Sequence, residues 1–284
     1  MNVARTIEAF RRLRAQLPEP VGFVPTMGFL HDGHLSLVRI ARERCASVVA
    51  SIYVNPSQFA PTEDLADYPR DLDRDLALLE QEAVDLVFAP EEAVGLYPEG
   101  YDTWIELPTI ISRLEGASRP THFRGVATIV AKLFNIVEPD VAVFGQKDAQ
   151  QALVIHRLIR DLDFDIELVL GPIVREADGL AMSSRNKYLS PGERRAATAL
   201  SRSLRCAEGR YLSGERKAEN LRHAMMEILA AEPLVQQEYV SVASPTDLSE
   251  LETIEGRALV SLAAHLGRTR LIDNTVLPPG ESLL

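Results

Sequence analysis

Two histidines separated by two residues mark the first candidate site in this sequence. His31 and His34 belong to the segment Pro25–His34, which follows the short apolar run Val21–Val24. This pattern predicts a buried strand, then a turn, then a helix that begins near Gly33. At such a helix start in an open α/β sheet, free backbone N–H groups and the helix dipole favour anions, and phosphates in particular. The segment therefore predicts a phosphate-binding turn.

Two other interpretations of the histidine pair stay open at this point. The pair is compatible with two surface polar residues at a helix start. It is also compatible with a metal site, because imidazoles at positions i and i+3 can share an ion. Zinc normally needs a third protein ligand, however, and neither cysteine is close in the sequence to supply one. Gly28 and Gly33 favour the phosphate interpretation, because glycine lets the backbone approach a ligand closely.

A second polar cluster, Gly145–Asp148, follows the apolar run Val141–Phe144. It also lies where a predicted strand ends and a helix begins. Lys147 in such a turn is suited to neutralising a phosphoryl transition state. The alternative is an ordinary helix start, with Asp148 as the N-cap residue and a solvated lysine.

Two further segments carry polar side chains that suit small anionic ligands. Met182–Asn186 offers two hydroxyls and a guanidinium for triphosphate oxygens, and the alternative is an interdomain turn in which a serine caps a helix. Asn55–Phe59 follows the second predicted strand, and an ordinary turn is the simpler interpretation of that segment. Gln58, and Gln151 behind Lys147, could instead contact hydroxyls or a carboxylate of a small polar substrate.

Composition and charge exclude several classes of protein. The 284 residues are 46% hydrophobic and 25% charged, which is typical of a globular chain and favours two domains over one. We find no membrane-length apolar run and no apolar signal segment, so we expect no membrane partner. Cys45 and Cys206 are too few for a disulfide framework, which indicates a reduced, cytoplasmic setting.

The net charge disfavours nucleic acid as a partner. The chain has 30 Lys and Arg against 41 Asp and Glu, a formal charge of −11, whereas nucleic-acid binding needs an excess of positive charge. An anionic ligand would then require positive charge that is local. Such charge is found at Arg119, His122, Arg124, Lys147, Arg185 and Lys187.

Missing motifs remove other enzyme classes. No Gly-x-Gly-x-x-Gly follows the first predicted strand, which disfavours a dinucleotide oxidoreductase. The sequence also lacks a P-loop and a Gly-x-Ser-x-Gly nucleophile elbow. We expect Cys45, on the apolar face of a predicted helix with no evident base partner, to be a buried structural thiol.

Alternating strand and helix patterns must position these side chains. The predicted helices are 6–17, 35–44, 70–82, 128–137 and 149–160, and the predicted strands are 21–24, 47–54, 85–88, 141–144 and 166–170. This alternation indicates an α/β fold with a doubly wound, mostly parallel sheet. The 55–70 connection is long, which suggests a functional loop.

The composition shifts after Arg185. The second part has predicted helices at 193–210 and 217–231 and predicted strands at 239–242 and 258–264. We therefore predict a larger first domain, 1–175, and a smaller α+β domain, 176–284, that acts as a lid over the site.

Taken together, the motifs resemble those of the pantothenate synthetase (pantoate–β-alanine ligase) family, within the HxGH nucleotidylyltransferase superfamily. Six ordered motifs carry the resemblance: Pro25–His34, Asn55–Phe59, Glu63-Asp64 with Tyr68-Pro69-Arg70, His122–Val126, Phe144–Gln151 and Met182–Asn186. The second domain resembles the family mainly in size and pattern.

The resemblance implies a Rossmann-like domain related to class I aminoacyl-tRNA synthetases. His31 and His34 would then match the HxGH signature, and Met182–Arg185 the KMSKS-like loop. It implies ATP contacts by Met27, Gly28, Phe29, Leu30, His31, Asp32, Gly33, His34, Gly145, Gln146, Lys147, Asp148, Val174, Met182, Ser183, Ser184 and Arg185. It further implies pantoate contacts by Gln58 and Gln151, with β-alanine near Gln58.

The expected reaction is an adenylate-forming ligation of pantoate and β-alanine, with His34, His31, Lys147 and Arg185 as the catalytic residues. Mg²⁺ is expected with ATP on charge grounds. Its protein ligands are unknown, with Asp75 and Asp148 as candidates, and the family suggests a homodimer. Two alternatives stay open: a nucleotidylyltransferase whose product is the stable nucleotidyl compound, and a non-catalytic nucleotide sensor.

Overall fold

The computed structural model describes residues 1–60, 65–66, 68–90 and 95–284, so Glu63 and Asp64 of the motifs above lie outside the described residues. The described chain forms two compact units. The first unit is Met1–Gly145 with Val154–Gly171, and the second unit is Gln146–Leu153 with Pro172–Leu284. The predicted domain boundary at residue 175, and the lid role of the second domain, stay predictions.

The first unit is built on a six-stranded sheet in the order β1-β4-β3-β2-β5-β6, in which every pair is parallel. The strands are β1 (Asn2–Ala4), β2 (Val21–Thr26), β3 (Ser47–Ile52), β4 (Leu86–Phe88), β5 (Val141–Gly145) and β6 (Glu167–Gly171). The helices are α1 (Ile7–Arg14), α2 (Asp32–Arg44), α3 (Leu72–Gln81), α4 (Glu115–Ser118), α5 (His122–Val137) and α6 (Ala149–Asp161), the last of which begins in the second unit. The predicted doubly wound parallel sheet is confirmed.

Strand β2 is the centre of this sheet. It pairs with β3 on one side and β5 on the other, so the chain order reverses at β2. Ligands of open α/β sheets bind outside the carboxyl ends of the strands at such a reversal. Both predicted phosphate-binding turns follow strands at this point, one after β2 and one after β5.

Helix α2 packs closely on β2 through small residues. A Cβ added at Gly22 would lie 3.0 Å from both the Ala41 Cβ and the Cys45 Sγ. Cys45 is the C-cap residue of α2, rather than a residue of the helix face, and it is buried. Burial raises the pKa of its thiol, which agrees with a structural role.

The second unit has two helices and a three-stranded antiparallel sheet in the order β7-β8-β9. Its elements are α7 (Pro191–Leu212), α8 (Ala218–Ala230), β7 (Val235–Ala243), β8 (Ala258–Leu266) and β9 (Thr269–Leu277). One core joins them, with Leu200, Leu221 and Leu262 among its buried members. The predicted smaller α+β part is confirmed.

The structure differs from the sequence predictions at four elements, one of which is the short helix α4, which was not predicted. Strands β1 and β9 were not predicted, and α5 begins at His122, six residues before the predicted start at Thr128. Gly125 has a low helix propensity and hid the first turns of α5. In β9, the polar run Asp273–Thr275 interrupts the apolar pattern.

Among the described residues, none of the helices has the length and hydropathy needed to cross a membrane.

Gly125 allows α5 to approach the short 3₁₀ helix Pro56–Gln58. A Cβ at Gly125 would lie 2.4 Å from the backbone oxygen of Ser57. We therefore expect Gly125→Ala to lower the free energy of unfolding by about 1–3 kcal/mol through overpacking. Urea unfolding followed by circular dichroism measures this change.

Gly209→Ala is the matched control, because Gly209 is also helical and a Cβ there meets no atom within 4 Å. Its expected effect is a gain of up to about 1 kcal/mol from helix propensity. Equal effects of the two substitutions would contradict the close-approach argument.

Candidate functional site

The first predicted phosphate-binding turn connects β2 to α2. The hydroxyl of Thr26 donates to the Ser51 carbonyl at 2.8 Å and accepts from the Gly28 N–H at 3.2 Å. Gly28 has a φ of +80° and Phe29 a φ of +51°. A left-handed backbone is readily adopted by glycine and strained for phenylalanine, so interactions with the rest of the unit must hold this turn.

A buried carboxylate on α3 holds the turn. Asp75 is 1% exposed, and its two oxygens accept from the backbone N–H groups of Phe29, at 2.6 Å, and Leu30, at 2.8 Å. Burial raises the pKa of the Asp75 carboxyl, and these two hydrogen bonds oppose the rise. The sequence suggested Asp75 only as a magnesium ligand, whereas both of its oxygens are engaged with the turn.

The two predicted catalytic histidines lie together at the start of α2. His31 is the N-cap residue, which confirms that the pair marks the turn into a helix. Their ring centroids are 4.1 Å apart, and the His31 backbone N–H donates to the His34 Nδ1 at 3.3 Å. Because Nδ1 accepts, the hydrogen of the neutral ring is on Nε2. His34 thereby presents an N–H donor that suits an anionic oxygen.

The Asn55–Phe59 segment brings Gln58 to Met27. The Gln58 Nε2 donates to the Met27 Sδ at 2.8 Å, while the Asn55 Nδ2 donates to the Gln58 Oε1 at 3.1 Å. The same Asn55 nitrogen also donates to the Gly125 carbonyl at 3.1 Å. Gln58 is buried, so these bonds set the direction of its amide.

Three residues outside the Asn55–Phe59 segment, none of them predicted to contact a substrate, form hydrogen bonds to it. The Tyr97 hydroxyl donates to the Asn55 Oδ1 at 3.0 Å. The His122 Nδ1 lies 2.9 Å from the Gln58 carbonyl oxygen, to which the Arg119 Nη2 donates at 3.4 Å. Two of the local cations noted in the sequence therefore contact the backbone of Gln58.

The second unit carries the lysine turn. Gln146–Asp148 forms a 3₁₀ turn directly before α6, and Gln151 lies in the first turn of that helix. The Lys147 Nζ is 3.7 Å from the Asp148 Oδ1. The Asn274 Nδ2 donates to the carbonyls of Lys147, at 2.8 Å, and Gln146, at 3.1 Å.

A hairpin in the second unit brings together two residues for which the resemblance implies ATP contacts. The Met182 N–H donates to the Val174 carbonyl at 2.9 Å, and the Glu176 N–H to the Leu180 carbonyl at 2.9 Å. Ser183 then caps the 3₁₀ helix Ser184–Tyr188 by accepting from the Arg185 N–H at 3.3 Å. The capping interpretation of this serine is therefore realised, and its role toward phosphates stays a prediction.

Glu176 anchors the loop that follows this hairpin. The Asn186 Nδ2 donates to its Oε1 at 2.7 Å, and the Arg194 guanidinium forms a two-point pair with its carboxylate at 2.9 and 2.7 Å. The Arg194 hydrogen bonds, followed by smaller contributions such as Asn186, lower the pKa of the Glu176 carboxyl. An ion pair in the second unit therefore fixes the segment that contains Arg185.

Most of these supporting residues have no local pattern in the sequence that marks them. Asp273 and Asn274 carried a usable signal, because a run of three polar residues between the apolar pairs Leu271-Ile272 and Val276-Leu277 indicates buried polar groups with specific partners. Tyr97 carried no such signal, because its partner Asn55 is 42 positions away in the sequence.

Asp75→Asn tests the buried carboxylate. An amide keeps one acceptor oxygen but turns an NH₂ group toward the second backbone N–H. We expect a loss of about 1–3 kcal/mol in the free energy of unfolding, since a buried donor loses its acceptor. Asp73→Asn, at an exposed position of the same helix, is the control, and an equal effect of the two variants in urea unfolding would contradict the assignment.

Glu176 makes stability depend on pH. Because its folded-state pKa lies below the unfolded value, the stabilisation is present above the unfolded pKa and is lost as the pH falls through the folded pKa. We expect thermal stability to fall less between pH 6 and pH 3 in Glu176→Gln than in the wild type. Parallel melting curves measure this difference, and identical pH profiles would contradict it.

Comparison with known proteins gives consistent matches over nearly the whole chain. A family model described as pantoate-beta-alanine ligase matches residues 2–276. A pantothenate synthetase of Roseiflexus sp. (strain RS-1) is 59% identical over 277 residues, which cover 98% of this chain and 99% of that protein. One from Herpetosiphon aurantiacus is 54% identical and covers 98% of this chain and 100% of that protein.

Solved structures agree with these matches. The crystal structure of pantothenate synthetase from Thermus thermophilus is 47% identical, with a TM-score of 0.92, and covers 96% of this chain and 98% of that one. The pantoate-beta-alanine ligase of Francisella tularensis, complexed with beta-gamma ATP and β-alanine, is 32% identical, with a TM-score of 0.79 and coverage of 99% and 100%.

Proposed function

The chain belongs to the pantoate-beta-alanine ligase family, and we propose that it condenses (R)-pantoate with β-alanine in an ATP-dependent reaction that releases AMP and pyrophosphate. The family match over residues 2–276 carries this proposal, because it includes every candidate motif. The protein is thus a ligase with a nucleotide substrate.

The first step joins pantoate to the nucleotide. A carboxylate oxygen of pantoate attacks the α-phosphorus of ATP, the bond to the bridging oxygen breaks, and pyrophosphate leaves with the electron pair. The product is pantoyl adenylate. No protein nucleophile takes part, so catalysis rests on positioning two anions and stabilising the charge that develops on the phosphates.

His34 stabilises that charge. Its Nε2–H donates to a phosphate oxygen as the leaving pyrophosphate gains negative charge, with His31 in support. The hydrogen bond from the His31 N–H to the His34 Nδ1 supports this role, because it keeps the hydrogen of the neutral ring on Nε2. The start of α2 adds the favourable end of a helix dipole.

Lys147 and the Met182–Arg185 segment supply positive charge to the nucleotide. Lys147 neutralises charge at the reacting phosphate, and Arg185 with Ser183 and Ser184 binds the β- and γ-phosphates. Val174 contacts the adenine. Lys147 and Arg185 suit these tasks because each lies in a segment whose backbone is held by hydrogen bonds from an asparagine side chain.

Two glutamines bind pantoate. Gln58 and Gln151 donate to its carboxylate and hydroxyl oxygens, and β-alanine approaches near Gln58. The hydrogen bonds to Met27 and Asn55 leave the Gln58 amide one further hydrogen and one further lone pair for a ligand.

The second step releases the product. The unprotonated amine of β-alanine attacks the acyl carbon of pantoyl adenylate, and the new C–N bond forms as the C–O bond to AMP breaks. The nitrogen gives up a proton, and pantothenate and AMP leave.

Mg²⁺ suits the acceptor set of this site. Among the described residues there is no cluster of three or more Asp, Glu, His or Cys side chains that could hold a metal. Mg²⁺ usually binds one or two carboxylates together with substrate phosphates and water, so Asp148 is the candidate carboxylate beside the ATP oxygens. When bound, it neutralises phosphate charge.

The homodimer suggested by the family is also part of the proposal. Sedimentation equilibrium, which gives the mass of the assembly, tests it.

Product analysis tests the reaction. With ATP, Mg²⁺ and pantoate alone, we expect about one equivalent of pyrophosphate per active site, and with β-alanine continuous release of AMP and pyrophosphate. Formation of ADP would contradict the adenylate route. Continuous pyrophosphate release without β-alanine would indicate a nucleotidylyltransferase, and ATP binding without turnover would indicate a sensor.

His34→Ala tests the proposed phosphate donor. We expect kcat for pyrophosphate release to fall by about 100-fold or more, as when one charge-stabilising donor is removed from an active site. His223→Ala, at an exposed position on α8, is the matched control and should keep full activity. Undiminished adenylation by His34→Ala would remove this role from His34.

A further inference from the structure

Strand β9 carries two adjacent buried polar residues between apolar neighbours. Asp273 is 1% exposed and Asn274 is 3% exposed. In the antiparallel register, Asp273 lies opposite Leu262, a member of the core, and Asn274 lies opposite Ser261. Burying such groups costs free energy unless they are hydrogen-bonded, so their partners show what they stabilise.

Asn274 binds the lysine turn. Its Nδ2 donates to the carbonyls of Gln146 and Lys147. One amide group therefore satisfies two successive backbone carbonyls at the point from which the Lys147 side chain departs. These two carbonyls belong to the peptide groups before and after the Lys147 Cα, so the amide holds the backbone on both sides of Lys147.

Asp273 binds the hairpin that leads to Ser183 and Arg185. Its two oxygens accept from the Arg175 guanidinium at 2.6 and 3.0 Å, and the Arg175 Nη1 also donates to the Gly179 carbonyl at 3.2 Å. The guanidinium thus connects the β9 strand to the turn of the hairpin as well as to the arm that carries Arg175. A two-point arginine–carboxylate pair restricts orientation as well as distance.

Consecutive side chains of a strand point to opposite faces, so β9 lies between the lysine turn and the hairpin. We propose that Asn274 and Asp273 are positioning residues that set the distance between Lys147 and the Met182–Arg185 segment. The inference deepens the proposed function, on which it rests, by assigning residues that act through Lys147 and through Arg175 without touching the substrate.

Positioning from a single strand, β9, suits the task proposed for Lys147 and Arg185. Lys147 and Arg185 must bind different phosphates of one nucleotide, and a displacement of about 1 Å in such a group can cost about 100-fold in rate. Two anchors on adjacent residues of one strand share a single backbone, which leaves little freedom between them.

Asn274→Ala is the first test. We expect kcat for pyrophosphate release to fall by about 10- to 100-fold. A double-mutant cycle with Lys147→Gln separates positioning from general stability, with the Kd of α,β-methylene-ATP as the readout. Asn274→Ala should weaken binding clearly in the wild-type background and less than twofold in the Lys147→Gln background.

Hydrogen–deuterium exchange of the ligand-free protein gives a readout that does not depend on activity. In Asn274→Ala, faster exchange should be confined to the peptide that covers 145–148. In Arg175→Lys, which keeps the charge but loses the two-point pair, it should be confined to 174–185. Ser261→Ala is the matched control, because the buried Ser261 hydroxyl opposite Asn274 has no hydrogen-bond partner among the described residues.

Two outcomes overturn the proposal: an equal loss of binding in both backgrounds of the cycle, or faster exchange spread over the second unit. Failure of the proposed function looks different. In that case the wild type releases no pyrophosphate from ATP and pantoate, while the exchange pattern still decides whether β9 positions the two segments.

Discussion

The parallel pairing of β2 with both β3 and β5 is the constraint from which the site follows. It places the carboxyl ends of β2 and β5 side by side, where the sheet reverses its order. A short turn connects β2 to the start of α2, and Gly22 lets this helix pack closely against the strand. The backbone N–H groups of a helix start, the histidine pair and the end of β5 are thereby brought to one edge of one sheet.

Buried polar side chains then fix the chemistry-bearing segments within each unit. Asp75 holds the strained turn that contains Phe29, and Asn55 sets the amide of Gln58. In the second unit, Asn274 and Asp273 do the same for the lysine turn and the hairpin. Each such bond contributes only about 1 kcal/mol of net stability, but a lost partner leaves a buried group unsatisfied at a larger cost. Because that cost opposes any arrangement in which the bond is broken, these contacts restrict each segment to one backbone geometry.

The charge distribution suits an anionic ligand in an acidic protein. With a formal charge of −11, the surface as a whole does not attract ATP. Positive charge for the ligand comes instead from a few basic side chains. Nearby carboxylates are already paired with other arginines, Glu176 with Arg194 and Asp273 with Arg175. Arg185 and Lys147 lie in segments that these pairs and Asn274 hold in place.

The sequence by itself determined the fold class, the family and the segments that carry the chemistry. Apolar periodicity and the His31–His34 and Met182–Arg185 motifs are local patterns, so they could be recognised without a structure. Local patterns also limited the predictions. The start of α5 was placed too late because of Gly125, and β9 was missed because Asp273 and Asn274 interrupt its apolar run.

Only the tertiary structure decided which side chains support the site. Asp75 follows Phe29 by 46 positions and Asp273 follows Arg175 by 98, and nothing in the intervening residues specifies either pairing. These contacts form because a buried polar group is stabilised only by hydrogen bonds to the groups that packing brings within its reach. Which carboxylate holds a backbone turn and which is exposed to a ligand is a consequence of packing, and the spacing of residues along the chain does not contain it.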